Sequence, residues 1–156
     1  MTSMRECRNI YKTARESSGF TQEKAAELTG VSVESIRAYE LGHRIPPTHV
    51  VVNMVDVYGT QYLAYQHLRN ADDIAGLYLP DVDVLNMSAA VLRLLKEVAD
   101  FVKRQPELIA ITCDGIIDEE EKPRFDEIMQ ELNDIVQAYF SLKFSVQNRS
   151  DCQCKQ

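Results

Sequence analysis

The chain has 156 residues, of which 45% are hydrophobic and 26% charged, the make-up of one ordinary globular domain or two small ones. No apolar stretch approaches the ~18 residues that a membrane span needs; the opening MTSMRECRNIYK lacks the apolar centre of a signal peptide, so no membrane partner and a cytoplasmic location are expected. The formal net charge of −7, taken as an average, argues against nucleic acid as a partner.

Apolar residues in the first seventy positions recur at helical spacing, and no period-2 run is long enough for a strand. A first helix is expected over 4–17, with Cys7, Ile10, Tyr11 and Ala14 inward and Gly19 ending it. Thr21 is a natural N-cap for a second, 22–29, with Glu23 set against its positive end and Gly30 placed to close it. Val31 then turns into the core. Ser32 caps a third helix, 33–41, which Gly42 stops. Pro46 and Pro47 start a fourth that ends at Tyr58 and Gly59, and 61–68 form a fifth. The three histidines, His43, His49 and His67, all lie in this half and read as surface positions.

Residues 70–84 hold Gly76, Pro80 and alternating Asp and Val without helical periodicity, and read as a connector in which Leu77, Tyr78 and Leu79 need cover from water. A long amphipathic helix begins at 86 or 88. One apolar edge runs through Val91, Leu95, Val98 and Val102, another through Leu94 and Phe101, so this helix is expected to touch two neighbours. Pro106 kinks it or opens a separate turn. After Asp114-Gly115, a second long helix is expected over 119–144, its apolar positions following i, i+3, i+4, i+7, with Asp118 and Glu121 in capping-box relation.

The class is therefore all-α. A five-helix domain over 1–69 precedes an antiparallel long-helix hairpin over 85–146, and the polar tail, 147–156, is expected to be disordered. One hairpin has too little interior to cover both stripes. Pairing with a second copy is the expected solution, through Leu92, Leu95, Val98, Phe101, Val102, Ile128, Leu132, Ile135 and Tyr139; packing back on the connector at Leu77 to Leu79 and an autonomous monomeric bundle are the alternatives.

Two helices of about eight residues joined by a Gly-containing turn describe a helix-turn-helix, and Ala25 and Ala26 are small enough to let them cross closely. The segment Thr21-Gln22-Glu23-Lys24-Ala25-Ala26-Glu27-Leu28-Thr29-Gly30-Val31-Ser32 resembles the XRE family of phage-repressor-like regulators. So do Ser35-Ile36-Arg37-Ala38-Tyr39-Glu40 and the Glu40, Gly42, Arg44, Pro46 exit, with Ala25 standing where the family usually has Leu. The resemblance covers 6–68. The whole order of helix-turn-helix, Leu-Pro connector and acidic hairpin is similar to regulators of Gram-positive bacteria and their prophages.

That resemblance implies a third helix in the major groove of double-stranded DNA, with Ser32, Val33, Glu34, Arg37 and Ala38 facing the bases. Arg37 suits bidentate contact with guanine, Glu34 a cytosine amine and Val33 a thymine methyl. For Arg37, a phosphate contact or a pairing with Glu34 remain open alternatives. Thr21, Gln22, Ser35, His43 and Arg44 are implied phosphate contacts. An arginine at the place of Arg15 pairs, in the family, with the glutamate at the place of Glu40, so these two charges are structural.

Charge is unevenly divided. Residues 1–70 carry eight Lys/Arg and seven Asp/Glu, whereas 71–156 carry nine and seventeen. A near-neutral head and a strongly acidic hairpin are thus averaged into the net figure, which no longer excludes DNA.

Other chemistry is thinly represented. Asp114-Gly115-x5-Glu121 matches the back half of a calcium loop, but the first and third ligand positions fall on Ala110 and Thr112. Cys152 and Cys154 have no partner pair at zinc-site spacing, and Cys7 and Cys113 stand far from them. No nucleophile–base constellation or phosphate loop is present, so no metal, no cofactor and no enzymatic activity are expected. The expected function is a homodimeric regulator, a repressor by analogy, on a palindromic operator, its effector unknown. A protein-interaction adaptor and a ligand-gated sensor acting through the hairpin are the alternatives.

Overall fold

The computed structural model describes residues 3–71 and 73–146, and the described residues are helical without strands. Eight helices follow one another: α1 Ser3–Ser17, α2 Gln22–Thr29, α3 Val33–Glu40, α4 Thr48–Tyr58, α5 Gln61–Ala71, α6 Asp73–Tyr78, α7 Met87–Ile111 and α8 Lys122–Ser145. They form two compact units whose boundary falls between Leu79 and Pro80. Among the described residues no helix is long and apolar enough to cross a membrane.

In the first unit each apolar stripe predicted from spacing is spent on one core. Ile10, Tyr11 and Ala14 of α1 meet Ala25 and Ala26 of α2, Ile36 and Tyr39 of α3, Val50, Val51, Met54 and Tyr58 of α4, and Leu63 of α5. Ala25 is wholly buried, consistent with α2 and α3 needing a small side chain where they meet. Phe20 and Val31, from the turns, pack against the same cluster. The Cys7 side chain lies outside the described residues.

The turn between α2 and α3 is sharp because Gly30 takes φ +73°, from which its N–H reaches the Ala26 carbonyl at 3.0 Å. Asn53, the polar residue that interrupts the apolar run of α4, donates from its side-chain amide to the Thr29 carbonyl at 3.2 Å, tying α4 to the end of α2.

Three expectations for the first unit need correction. The segment after α5 is not free of helix: α5 extends to Ala71 and α6 forms a short further helix. Six residues are too few to show a period, so spacing could not reveal it. Nor are Leu77 and Tyr78 covered; they are 80% and 81% exposed. His67 is not a surface residue either. It is half-buried, its Nδ1 lies 2.7 Å from the Tyr11 hydroxyl, and burial lowers its pKa.

The second unit is a hairpin of α7 and α8. Ala90, Ile111, Ile128, Ala138 and Phe144 are buried in it, together with Val82 from the segment leading into α7. That segment is held by the Ser141 hydroxyl, which donates to the Asp83 carbonyl at 2.6 Å. Asn86 caps α7 by accepting from the Ala89 N–H. Pro106 stays inside α7 on its exposed side, where the carbonyl deprived of a partner can turn to water.

The loop between the helices turns at Gly115, φ +78°. The capping box closes as the spacing suggested, though one turn before the helix proper. The Asp118 carboxylate accepts from the Glu120 and Glu121 N–H groups at 2.8 Å, and Glu121 accepts from the Asp118 N–H at 3.3 Å.

Candidate nucleic-acid interface

The α2–turn–α3 unit begins with two hydroxyl caps. Thr21 Oγ1 accepts from the Lys24 N–H at 3.2 Å, and Ser32 Oγ accepts from the Ser35 N–H at 3.1 Å. Each satisfies a backbone donor that the first helical turn leaves without a partner. Glu23 is held below the usual carboxylate range by hydrogen bonds from its own backbone N–H and from Thr21, the charge that a helix N-terminus favours.

Along α3 the inward positions are Ile36, Tyr39 and Glu40, all buried. The opposite face carries Ser32, Glu34 and Arg37 exposed, with Ser35 and Ala38 half-buried at its edges. Val33 departs from the expectation of a free side chain. It is half-buried and packs on the core, because the first turn of α3 lies close to it. Ser35 is engaged as well, its hydroxyl 3.0 Å from that of Ser32.

Arg37 is exposed, and among the described residues it has neither a hydrogen bond nor an ion pair. The pairing with Glu34 is therefore not formed. Arg44 is likewise exposed and unpaired in the loop after α3, beside the exposed His43. That loop is shaped by the His43 N–H bonding the Ala38 carbonyl at 2.9 Å. Lys24, by contrast, is occupied by Glu27 at 3.0 Å. Two unpaired guanidiniums, one on the outer face of α3 and one just beyond its end, are groups of the kind that grip phosphate oxygens or the O6 and N7 of guanine.

Beneath this face lies an ion pair. Arg15 and Glu40 are each 7% exposed. Arg15 Nε donates to Oε1 at 2.5 Å and Nη2 to Oε2 at 3.0 Å, while Nη1 donates to the Phe20 carbonyl at 2.7 Å. The Glu40 carboxylate raises the Arg15 pKa above its ordinary value. Burial, with Glu40 nearby, pushes the Tyr58 hydroxyl up to about 12. The pair fastens α1 to the end of α3.

The side chain of Gln22, expected at a phosphate, takes part in this network. Its amide donates to Glu40 Oε2 at 2.8 Å, which turns the side chain inward; only its backbone N–H remains at the helix start for an anion. A polar residue in the first turn of α2 fits both roles, and nothing in the sequence distinguishes them. Thr21 remains exposed.

On the hairpin, the residues grouped as one interface separate. Ile128 is completely buried, and Phe101, Leu132 and Ile135 are half-buried between the two helices, so Ile128 is not available to a partner. Leu92, Leu95, Val98, Val102 and Tyr139 are exposed. Cys152 and Cys154 lie outside the described residues. Asp114 spends an oxygen on the Ile116 N–H within the loop.

Residues 12–65 match the family model of a helix-turn-helix domain, from the second half of α1, through α2, α3 and α4, into the first half of α5. No curated protein and no solved structure gives a significant match. The chain thus carries an N-terminal helix-turn-helix domain followed by a helical hairpin, an arrangement that suggests a DNA-binding regulator.

Proposed function

We propose that this protein is a sequence-specific regulator of the XRE type that binds double-stranded DNA through α3, and that it acts without enzymatic chemistry. The observation that carries the reading is the state of Arg37: an exposed, unpaired guanidinium on the outer face of the second helix of a helix-turn-helix. Docked in a major groove, that face offers Arg37, Glu34 and Ser32 to base edges and leaves Arg44, His43 and Thr21 for the backbone.

The functional unit is a homodimer on a palindromic operator, since one eight-residue helix with a single arginine reads too few bases alone. Repression is the favoured sign of control by analogy with prophage regulators. Few phosphate contacts and an acidic second half imply modest affinity that falls with salt.

Selection of bound sequences from random DNA tests the proposal. A palindrome with half-sites about one helical turn apart, ~34 Å, is expected. Recovery of no preferred sequence would leave the fold as a protein-interaction module and remove the regulator reading.

A further inference from the structure

The surface of the hairpin is sorted by charge. Every charged residue of α7, from Arg93 to Glu107, falls within one side of the helix at 100° per residue. Along the opposite side, Val91, Leu95, Val98, Val102 and Ile109 are exposed at spacings of four, three, four and seven, with Leu92 beside them. Leu95 and Ile109 are each 61% exposed, and Leu92 68%. This is the 4-3 spacing that a packed helical bundle buries, and here it lies open.

The partner helix carries a matching stripe. On α8, Met129, Val136 and Tyr139 are exposed, with half-buried Leu132 completing the 3-4-3 spacing. The two stripes share one flank of the hairpin. Arg104 reaches across to Glu127 at 3.0 Å and to Glu131 at 3.7 Å, and Arg93 reaches Gln137 at 3.4 Å, which closes the other flank with polar contacts. On α7 the stripe lies on the far side of Leu94 and Phe101 from those arginines. On α8 it lies on the far side of Ile128 and Ile135 from those glutamates.

From these relations we infer that this flank is where a second copy of the chain docks, two hairpins closing a four-helix bundle about a two-fold axis. Three observations select a second copy. Nine exposed apolar side chains on the flank amount to roughly 800 Å² per chain, the half-share of a standard stable interface and more than most monomers leave open. The spacing on both helices is the one that two-fold bundles interlock. The seven charged residues of α7, four basic and three acidic, all lie on the opposite side of the helix from this stripe, so a contact between two copies along the stripe buries none of them. A contact on the charged side would instead take these charges out of water. The inference rests on the dimeric-regulator reading for its purpose, but not for its geometry.

Sedimentation equilibrium of the full chain without DNA tests it. The wild type should be a dimer at micromolar concentration, with a melting midpoint that rises with protein concentration. L95E/V102E should be monomeric with the helical circular dichroism of the wild type, whereas L77S/Y78S, on the other exposed apolar segment, should remain dimeric. If the acidic pair also unfolds the hairpin, L95S/V102S removes apolar surface without adding charge and should weaken the dimer at least tenfold. A monomeric wild type, or a dimer that survives both substitutions at 95 and 102, overturns the inference. DNA enters none of these readouts: a dimer that binds no operator keeps the docking face and removes only the regulator reading.

Discussion

Arg15 and Glu40 meet side-on through two hydrogen bonds, and both are buried, Glu40 on the side of α3 away from the exposed Arg37. The pair holds the first helix of the domain to the last residue of the third, while Gln22 approaches the same carboxylate from the start of α2. Three helices of the domain are therefore referred to one side chain. Removing it strands the guanidinium and leaves the Gln22 amide without its acceptor.

Glu40→Ala should accordingly destabilise the domain by roughly 3–5 kcal/mol, the cost of leaving one buried charge without its partner. Gln22→Ala, which removes a neutral donor to a charged acceptor, should cost about 1.5–3 kcal/mol. Urea denaturation of the single variants checks both. If Gln22 instead held a phosphate, its substitution would weaken DNA binding and leave the unfolding midpoint in place.

Gly30 supplies a second test of how the helix-turn-helix is built. A Cβ at this position would meet nothing within 4 Å, so crowding is not the reason for glycine. The reason is φ +73°, a conformation that L side chains adopt at a cost. Gly30→Ala should lose about 1–2 kcal/mol, and Gly30→Asn less, because a short amide tolerates the left-handed region. Equal losses for the two, in thermal melts, would point to packing rather than backbone strain.

The contrast between strong and weak sequence signals follows the same physics. The first five helices were legible because each boundary is written in one residue: hydroxyls at 21 and 32, glycines at 30 and 59. The hairpin was legible from long periodic stripes, although spacing alone did not say which stripe faced inward. Ile128 and Tyr139 belong to the same apolar run, and only the packed helices show one buried and the other open. The direction of Gln22, the short helix α6 and the burial of His67 were not legible. Gln22 and His67 depend on contacts with residues distant in the chain, and a single polar side chain carries no periodicity; α6 is too short to show one.

The two free arginines should behave differently in DNA binding. Arg37→Ala is expected to cost about 1–3 kcal/mol and to relax preference at one base pair of each half-site, if its guanidinium reads a base edge as proposed. Arg44→Ala should weaken all sequences alike and reduce the slope of log affinity against log salt by about 1. Salt-dependent fluorescence anisotropy on a selected site and on scrambled DNA separates them. A uniform loss for Arg37→Ala would reassign it to a phosphate.

His67 makes the domain sensitive to mild acid. Its Nδ1 faces the Tyr11 hydroxyl, and it shares an apolar groove between α4 and α5 with Val51, Val55, Leu68 and the carboxylate of Asp56. Burial lowers its pKa in the folded chain, so the neutral ring is the folded form. Between the folded value and the unfolded value near ~6.5 the unfolded chain binds the extra proton, and stability rises with pH across that window. The contribution is complete above about 6.5 and is lost as pH falls through the folded value. Urea midpoints measured from pH 7.5 downward should therefore begin to fall near neutrality, well above the carboxylate range. His67→Gln, which cannot titrate, should flatten that first fall while leaving the acid limb below pH ~5 unchanged, since that limb belongs to the carboxylates. An unchanged first fall in the variant would place the titrating group elsewhere.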